Sequence, residues 1–176
     1  MKKIVRKTSE DKFYEALVRL MKTNKYESIT ITDVSNEAGL SRMTFYRHFT
    51  QIDDIMIKHL KKVLSDAEER IRSRQDFTKK SFWLELVTLV REDPVNQRLM
   101  EAGLLTKAFK AELDFVTKVY QAYFGLDVRD SKSVLYVYRT LGSIVGCFFY
   151  LAINKNVSDE DVVNQLISIA ENAALR

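Results

Sequence analysis

Turn-forming residues are scarce in this chain, which has five glycines and one proline among 176 residues. A sheet protein needs a turn between almost every pair of strands, and glycine and proline supply most tight turns. Apolar residues instead recur at a spacing near 3.6, which places them on one face of a helix. The chain is also 46% hydrophobic, a share that excludes wholesale disorder. We therefore predict an all-α fold with about eight or nine helices.

The positive charge of the chain is concentrated at its N-terminal end. The net charge is +4, and residues 1–50 contain ten Lys or Arg against six Asp or Glu, which accounts for all of it. This asymmetry is typical of a segment that faces nucleic acid and is attached to a neutral body. Basic N-termini also occur as solubilising tails, so charge by itself does not decide between these readings.

Capping residues predict two short helices joined by a tight turn. Thr30 is predicted to cap a helix over 31–38, and Gly39 follows where left-handed backbone is least costly for glycine. Ser41 can cap the next helix, over 42–48. A helix, a turn with glycine and a second short helix form the helix-turn-helix pattern, whose second helix enters the major groove of DNA.

The second of these helices has one apolar face and one polar face. Phe45 and Phe49 lie four residues apart and can close a small core with the preceding helix. The opposite face then offers arginine, which forks onto guanine, and methyl groups, which contact thymine; helix N-termini favour phosphate. The predicted DNA contacts of this unit are Thr30, Ser41, Arg42, Met43, Thr44, Tyr46, Arg47 and His48.

These residues belong to a longer ordered pattern, ITITDVSNEAGLSRMTFYRHF over residues 29–49. Its I-T-[I/V] start, A-G-[V/L]-S turn and T-F-Y-x-[Y/H]-F helix closely resemble the DNA-binding domain of TetR-family transcriptional regulators. The resemblance covers roughly residues 8–55. It implies a helix-turn-helix domain over 1–51 and a helical ligand-sensing and dimerisation domain over 52–176.

The chain departs from the family pattern just after the recognition helix. Family members commonly have a lysine there that points at a DNA phosphate, whereas this chain has Ile52, followed by Asp53 and Asp54. We expect these two acids to repel phosphate and basic residues near the N-terminus to compensate by contacting the DNA backbone. These basic residues are Lys2, Lys3, Arg6 and Lys7.

Caps also divide the rest of the chain. Thr50 is predicted to begin a long helix, Asp76 the next one, and Gly125 is predicted to end a third. Two final helices cover about 130–153 and 158–175. The carboxylates of these helices are expected on solvent-facing sides with a base nearby.

The helix over 130–153 is apolar nearly all round, so it must be covered on more than one side. The resemblance implies that the last two helices of each subunit form a four-helix dimer interface. Such a homodimer would present two recognition helices to a palindromic operator in double-stranded DNA. The predicted interface residues are Leu141, Gly142, Val145, Gly146, Phe149, Val163, Leu166, Ile169 and Ala170.

The resemblance also implies that the body senses an effector. Aromatic side chains line apolar ligand cavities, although plain core packing is the default for each of them. Trp83, Phe109, Tyr120 and Tyr136 are the candidate walls of a pocket for a small hydrophobic or aromatic effector.

Other function classes find little support in the sequence. We find no phosphate-binding glycine loop, nucleophile elbow or metal-ligand spacing, so we predict no enzyme, no cofactor and no metal site. The uncharged run over 140–153 is too short to span a membrane, so we predict a cytoplasmic protein without a membrane partner.

We therefore expect a DNA-binding regulator, most often a repressor in this family, that an effector releases or modulates. One alternative is a TetR-like regulator, activators included, that a protein partner controls without a small-molecule pocket. Another is a helical dimer whose basic end binds an acidic partner.

Overall fold

The computed structural model describes residues 7–75, 78–93, 95–154 and 156–171, and no strand occurs within these ranges. The helices are α1 (Ser9–Leu20), α2 (Ile31–Ala38), α3 (Arg42–His48), α4 (Asp53–Arg72), α5 (Lys79–Glu92), α6 (Val95–Glu101), α7 (Leu105–Phe124), α8 (Ser131–Ile153) and α9 (Asp159–Glu171), with a 3₁₀ turn at Tyr26–Ser28 before α2. The prediction of an all-α fold is confirmed.

The helices α2 and α3 begin and end where their caps predict. The Thr30 hydroxyl accepts a hydrogen bond from the Asp33 amide at 3.2 Å, and the Asp33 carboxylate accepts one from the Thr30 amide at 2.9 Å. Gly39 has a φ of 64°, in the left-handed region that residues with a Cβ rarely adopt. Ser41 accepts from the Thr44 amide at 3.0 Å. Local contacts alone therefore fix the turn between the two helices.

The starts of α4 and α5 differ from the prediction. Thr50 donates its amide and its hydroxyl to the Asp54 carboxylate, at 2.8 and 2.6 Å, and α4 begins one residue before this acid. A carboxylate in the first turn of a helix is favoured by the helix dipole. Asp54 therefore accepts the hydrogen bonds at the start of α4, where the sequence predicted the Thr50 hydroxyl as the cap. α5 follows Thr78, whose hydroxyl accepts from the Ser81 amide at 3.1 Å. The predicted cap Asp76 lies outside the described residues.

Three phenylalanines form the centre of the N-terminal core. The ring of Phe13 in α1 meets those of Phe45 and Phe49 edge-on, with centroids 5.5 and 5.8 Å apart. Such edge-to-face pairs stabilise a core beyond the area that they bury. Val34 of α2 belongs to the same core and is completely buried. The predicted pairing of Phe45 and Phe49 is confirmed, and it turns the opposite side of α3 toward solvent.

The long helix α4 joins the N-terminal helices to the rest of the molecule. It packs against α1 and also against α5, α6 and α7, while α5 packs against α9 and α7 against α8. Lys62 of α4 donates to the Asp11 carboxylate of α1 at 2.6 Å, and this hydrogen bond is the main cause that lowers the pKa of Asp11 to about 2. We use "head" for α1–α3 and "body" for α4–α9, following the predicted division at residues 51 and 52.

Candidate nucleic-acid interface

The outer face of α3 is exposed and carries unpaired cations. Met43 is 73% exposed and Tyr46 52%, whereas Phe45 on the other side of the helix is completely buried. Arg42 and Arg47 are also exposed, and within the described part of the chain neither guanidinium has an ion pair or hydrogen bond. Two free guanidiniums beside a methionine and a tyrosine can contact base edges and phosphates without breaking any existing contact.

The N-termini of α2 and α3 differ in how well they could bind a phosphate. The Thr30 hydroxyl donates to the Asp33 carboxylate at 2.6 Å, so an anion approaching α2 would meet this negative charge. The first turn of α3 has no acid. There the hydroxyls of Ser41 and Thr44 lie 2.9 Å apart. Of the two predicted phosphate positions, the one at Ser41 is therefore the more favourable electrostatically.

His48, one of the predicted DNA contacts, already contacts another residue of the head. Its Nδ1 lies 3.1 Å from the Glu10 carboxylate, which Lys58 of α4 also contacts at 2.7 Å. The Lys58 hydrogen bond is the main cause that holds the pKa of Glu10 below its usual value. The side chain of His48 is 26% exposed, so only part of its ring can face DNA.

The two acids that follow the recognition helix do not form the free negative pair that the sequence suggested. Asp53 accepts from the Tyr26 hydroxyl at 2.6 Å and forms an ion pair with Lys107 of α7. Burial, followed by the bond to Asp53, raises the pKa of Tyr26. The Asp54 carboxylate accepts from Thr50, so both acids already have partners. Asp53 thereby links Tyr26 of the head to Lys107 of the body. The spacing of residues along the chain does not predict this link.

A basic groove between α3 and α4 adds two lysines that the sequence analysis did not single out. Tyr46, Arg47, Thr50, Lys58 and Lys61 line this groove. Lys61 is exposed and has no ion pair within the described residues, whereas Lys58 is shared with Glu10. The signal that could have found these lysines is their position in the first turns of α4, next to the recognition helix in the chain.

The predicted basic arm is described only in part. Lys7 is exposed and forms an ion pair with Glu15 of α1 at 2.6 Å. Lys2, Lys3 and Arg6 lie outside the described residues. Contact of this arm with DNA stays a prediction.

The body contains a cavity of about 20 Å³, which is room for one water molecule. Its apolar lining is Leu60, Leu64, Leu86, Leu89, Val90, Val95, Phe115, Val116, Leu141 and Ile144, and its polar lining is Asp93, Asn96 and Glu112. The side-chain oxygen of Asn96 is buried and has no hydrogen-bond partner within the described ranges. The cavity is therefore small and apolar, with a few polar groups that converge on it.

Glu112 is the most unusual of these residues, because its side chain is 5% exposed in apolar surroundings. It has no hydrogen bond or ion pair within the described part of the chain, and burial raises the pKa of its carboxyl to about 7. Glu85 is also buried, but Arg70 and Arg74 hold it. The expectation that the carboxylates of the body face solvent is wrong for both. For Glu112 the signal was available, because it follows Ala108 by four residues on the apolar face of α7.

Glu112 should make the stability of the protein depend on pH. The folded pKa of about 7 lies above the usual 4.5, so the neutral carboxyl stabilises the fold fully below pH 4.5 and this contribution is lost as the pH rises through 7. We expect urea unfolding to show a loss of about 2–3 kcal/mol between pH 5 and pH 8 that is absent in Glu112→Gln. Glu92→Gln, at an exposed position of α5, should behave like the wild type. Parallel pH curves for all three proteins would contradict the assignment.

The four aromatic residues predicted to wall an effector pocket do not line this cavity. Trp83 and Tyr120 are 1% and 2% exposed, and both pack against Phe82, with ring centroids 5.2 and 5.7 Å away. The ring of Tyr136 lies 5.5 Å from that of Tyr120. Phe109 instead pairs with Tyr138, at 5.9 Å. The structure thus gathers three of the four in one aromatic cluster, and their role as pocket walls stays a prediction.

A polar cluster connects the wall of the cavity with the head. The ring of Tyr14 in α1 stacks on that of His59 in α4, with centroids 3.4 Å apart. His59 Nε2 lies 2.6 Å from Asp93, which also contacts Arg98 of α6 at 3.3 Å. Burial raises the pKa of Asp93, but the hydrogen bond to His59 and the charge of Arg98 outweigh it and lower the pKa overall. Because Asp93 also lines the cavity, a change in the cavity is two contacts away from α1.

One face of α8 is apolar and open to solvent. Leu135 is 70% exposed and Tyr138 48%, and a Cβ added to Gly142 would meet nothing within 4 Å. Positions at steps of three and four residues lie on one side of a helix. We call this side the α8 stripe: Leu135, Tyr138, Gly142, Val145, Gly146 and Phe149; the exposed Arg139, whose guanidinium lies 5.0 Å from the Tyr136 ring, borders it.

Some of the predicted interface residues are not on this surface. Leu141, Val163 and Leu166 are 0%, 1% and 2% exposed, so they belong to the core of the protomer and cannot contact a partner. These three assignments are corrected, because α8 and α9 use one side of each helix to pack inside the subunit. The side chains of Ile169 and Ala170 lie outside the described residues.

By length and composition alone, α8 could also cross a membrane, since Ser131–Leu151 has a mean hydropathy of 1.4. The core helix of a soluble protein passes the same test. Val137, Leu141 and Ile144 on the inner side of α8 are buried in the protomer. The inner side of α8 is thus covered by its own subunit, whereas the α8 stripe is not.

An exposed basic helix-turn-helix head, joined by a long helix to a helical body, is the architecture of a class of dimeric transcriptional regulators. No protein-family model and no curated protein sequence matches the chain. Solved structures do resemble it, and they give the chain a TetR-type fold.

Three of these structures illustrate the likeness. Lin0861 from Listeria innocua is 18% identical, with a TM-score of 0.78 over 93% of this chain and 89% of its own. A TetR-family regulator from Syntrophomonas wolfei is 14% identical, with a TM-score of 0.67 over 96% and 95%. The FadR repressor of Thermus thermophilus, solved with lauroyl-CoA, is 13% identical, with a TM-score of 0.64 over 95% of both chains.

Proposed function

We propose that this protein is a DNA-binding transcriptional regulator that inserts α3 into the major groove. The observation that carries the proposal is the exposed outer face of α3, on which Arg42 and Arg47 have no partner within the described residues. A structural helix hairpin would gain nothing from holding two guanidiniums free beside the 73% exposed Met43. A regulator needs them free, since each can fork onto a guanine or contact a phosphate.

We further propose that two copies pair through the α8 stripe and bind a palindromic operator. An apolar stripe with glycine near its centre lets a second helix approach closely, and a two-fold axis places identical surfaces opposite each other. The dimer would then read two half-sites, one with each α3. In this form the protein acts in the cytoplasm on chromosomal DNA, as a repressor that covers a promoter, and no catalytic residue is required.

Control by an effector in the body is part of this proposal. The FadR structure contains lauroyl-CoA, but the cavity of about 20 Å³ in this chain has no room for an acyl chain. A bound molecule would act through Asp93 and His59 on the head. The small size of the cavity favours, as a second candidate, a TetR-like regulator controlled by a protein partner.

The experiment is a selection of operators from genomic fragments, followed by titration of wild type and Arg42→Ala. If Arg42 forks onto guanine, its loss should weaken operator binding by about 1–3 kcal/mol, which is roughly 5–150-fold, and relax the preference at one base pair. Lys118→Ala removes the same charge from an exposed position of the body and should change operator affinity little. Equal losses in both variants would mean that only net charge matters, and failure to select any sequence would reject the proposal.

A further inference from the structure

The cavity in the body contains a carboxyl group whose partner is missing from the described chain. Glu112 is as buried as Glu85, yet Glu85 is held by two arginines and Glu112 by no side chain among the described residues. A buried carboxylate without a partner is costly, because it loses hydration and gains no compensating contact. Above pH 7, where the Glu112 carboxyl is ionised, a bound cation would compensate its charge.

The other polar atoms around the cavity are also hydrogen-bond acceptors. The buried Asn96 oxygen has no donor among the described residues, and the carboxylate of Asp93 already contacts Tyr14, His59 and Arg98. Among the described residues, no lysine, arginine or histidine lines the cavity. Its complement is consequently a hydrogen-bond donor with an apolar remainder, since the rest of the lining is leucine, valine, isoleucine and phenylalanine.

We propose that this cavity binds a small apolar molecule that carries one protonated amine, with the ammonium group between Glu112 and Asn96. The ammonium would donate to the Glu112 carboxylate and to the Asn96 oxygen, and the apolar part would lie against the leucines. An anionic ligand is disfavoured at this position, because it would face Glu112 and Asp93 together. The regulatory meaning of this site rests on the proposed function, whereas the binding itself does not.

The ligand must displace apolar side chains, because the cavity as it stands has a volume of about 20 Å³. Leu60 of α4 and Leu86 and Leu89 of α5 line the cavity, and a change in the rotamers of these side chains would open space beside Glu112. Opening the packed lining costs free energy and lowers affinity. We therefore expect dissociation constants on the order of 0.1–1 mM for a minimal probe.

The test is a calorimetric titration of the full-length protein with phenethylamine, using 2-phenylethanol as the uncharged match. At pH 8 the wild type should bind the amine about tenfold or more tightly than the alcohol, and Glu112→Gln should bind the two about equally. Glu92→Gln, which removes a carboxylate from an exposed position of α5, should bind like the wild type. Equal binding of the amine to wild type and Glu112→Gln, or no binding to the wild type, would overturn the proposal.

A pH series tests the same site without relying on a variant. Amine affinity of the wild type should rise about tenfold from pH 6 to pH 8 as Glu112 loses its proton, while alcohol affinity stays constant. The charged groups around it are Asp93, with its partners His59 and Arg98. Glu112→Gln retains all three, so a rise that persists in this variant would come from them and would refute the role of Glu112.

Operator binding is measured separately, so the two proposals fail in different ways. Amine binding without any selected operator would leave the site standing and remove the regulator. Operator binding without amine binding would remove the site and leave the regulator. If both hold, saturating phenethylamine should change operator affinity by about 5–150-fold in the wild type and not in Glu112→Gln.

Discussion

Gly142→Glu is expected to convert the protein into a folded monomer that binds its operator only weakly. An added side chain at this position meets nothing in the protomer within 4 Å, so each subunit should fold normally. In the proposed dimer the two-fold axis brings both new carboxylates into the apolar α8 stripe. A buried charge without a partner costs about 3–5 kcal/mol, and Arg139, three residues earlier, offsets part of this cost, so the two charges together should weaken dimerisation by about 10³-fold or more. Sedimentation equilibrium would measure this, together with operator titration.

Two controls accompany this variant. Gly142→Ala adds only a methyl group and should leave a dimer that is weaker than the wild type but still detectable. Gln121→Glu places the same new charge on an exposed position of α7 and should leave the oligomeric state unchanged. A Gly142→Glu protein that remains fully dimeric at nanomolar concentration would show that copies pair through some other surface.

Phe45→Ala is expected to destabilise the head by about 3–5 kcal/mol. The side chain is completely buried and its ring touches Phe13 and Phe49, so truncation leaves a cavity that three helices enclose. We expect operator binding to be lost at temperatures at which the body is still folded, and urea unfolding to show an early transition.

The matched control for this prediction lies two residues away on the same helix. Met43 is 73% exposed, and Met43→Ala should change the free energy of unfolding by less than about 0.5 kcal/mol while weakening DNA binding. If the two substitutions destabilise the fold equally, then α3 is not oriented with Phe45 inward, and the interface proposed here is wrong.

The sequence predicts the head well because its determinants are local. Thr30 and Ser41 accept from amides three residues later, and the Gly39 amide donates to carbonyls within the preceding four residues, so the bounds of α2 and α3 follow from the chain alone. The start of α4 was harder, since Thr50 and Asp54 compete for the capping role and only the folded geometry decides between them.

Contacts between distant residues could not be predicted in this way. Asp53 forms an ion pair with Lys107, which lies 54 residues later in the chain. Because its charge is paired, Asp53 does not present the free negative charge that we expected to repel phosphate. The burial of Glu112 could be anticipated from its position four residues after Ala108 on the apolar face of α7, but the absence of a partner for it among the described residues could not. The prediction of the dimer interface was wrong for its buried residues for the same reason. The sequence of an apolar helix does not show which of its sides packs inside its own subunit.

The packing of α4 against α1 determines how a movement in the body reaches the head. This helix has 20 residues, so it is a rod of about 30 Å. α1 packs against it, Tyr14 stacks on His59, and Lys62 adds a hydrogen bond to Asp11, so the head should move together with this helix. A tilt of only about 5° would then sweep the far end through roughly 2–3 Å. In the proposed dimer, tilts of the two subunits in opposite directions would change the distance between the two copies of α3, so a small change in the body would be enough to weaken the proposed binding to DNA.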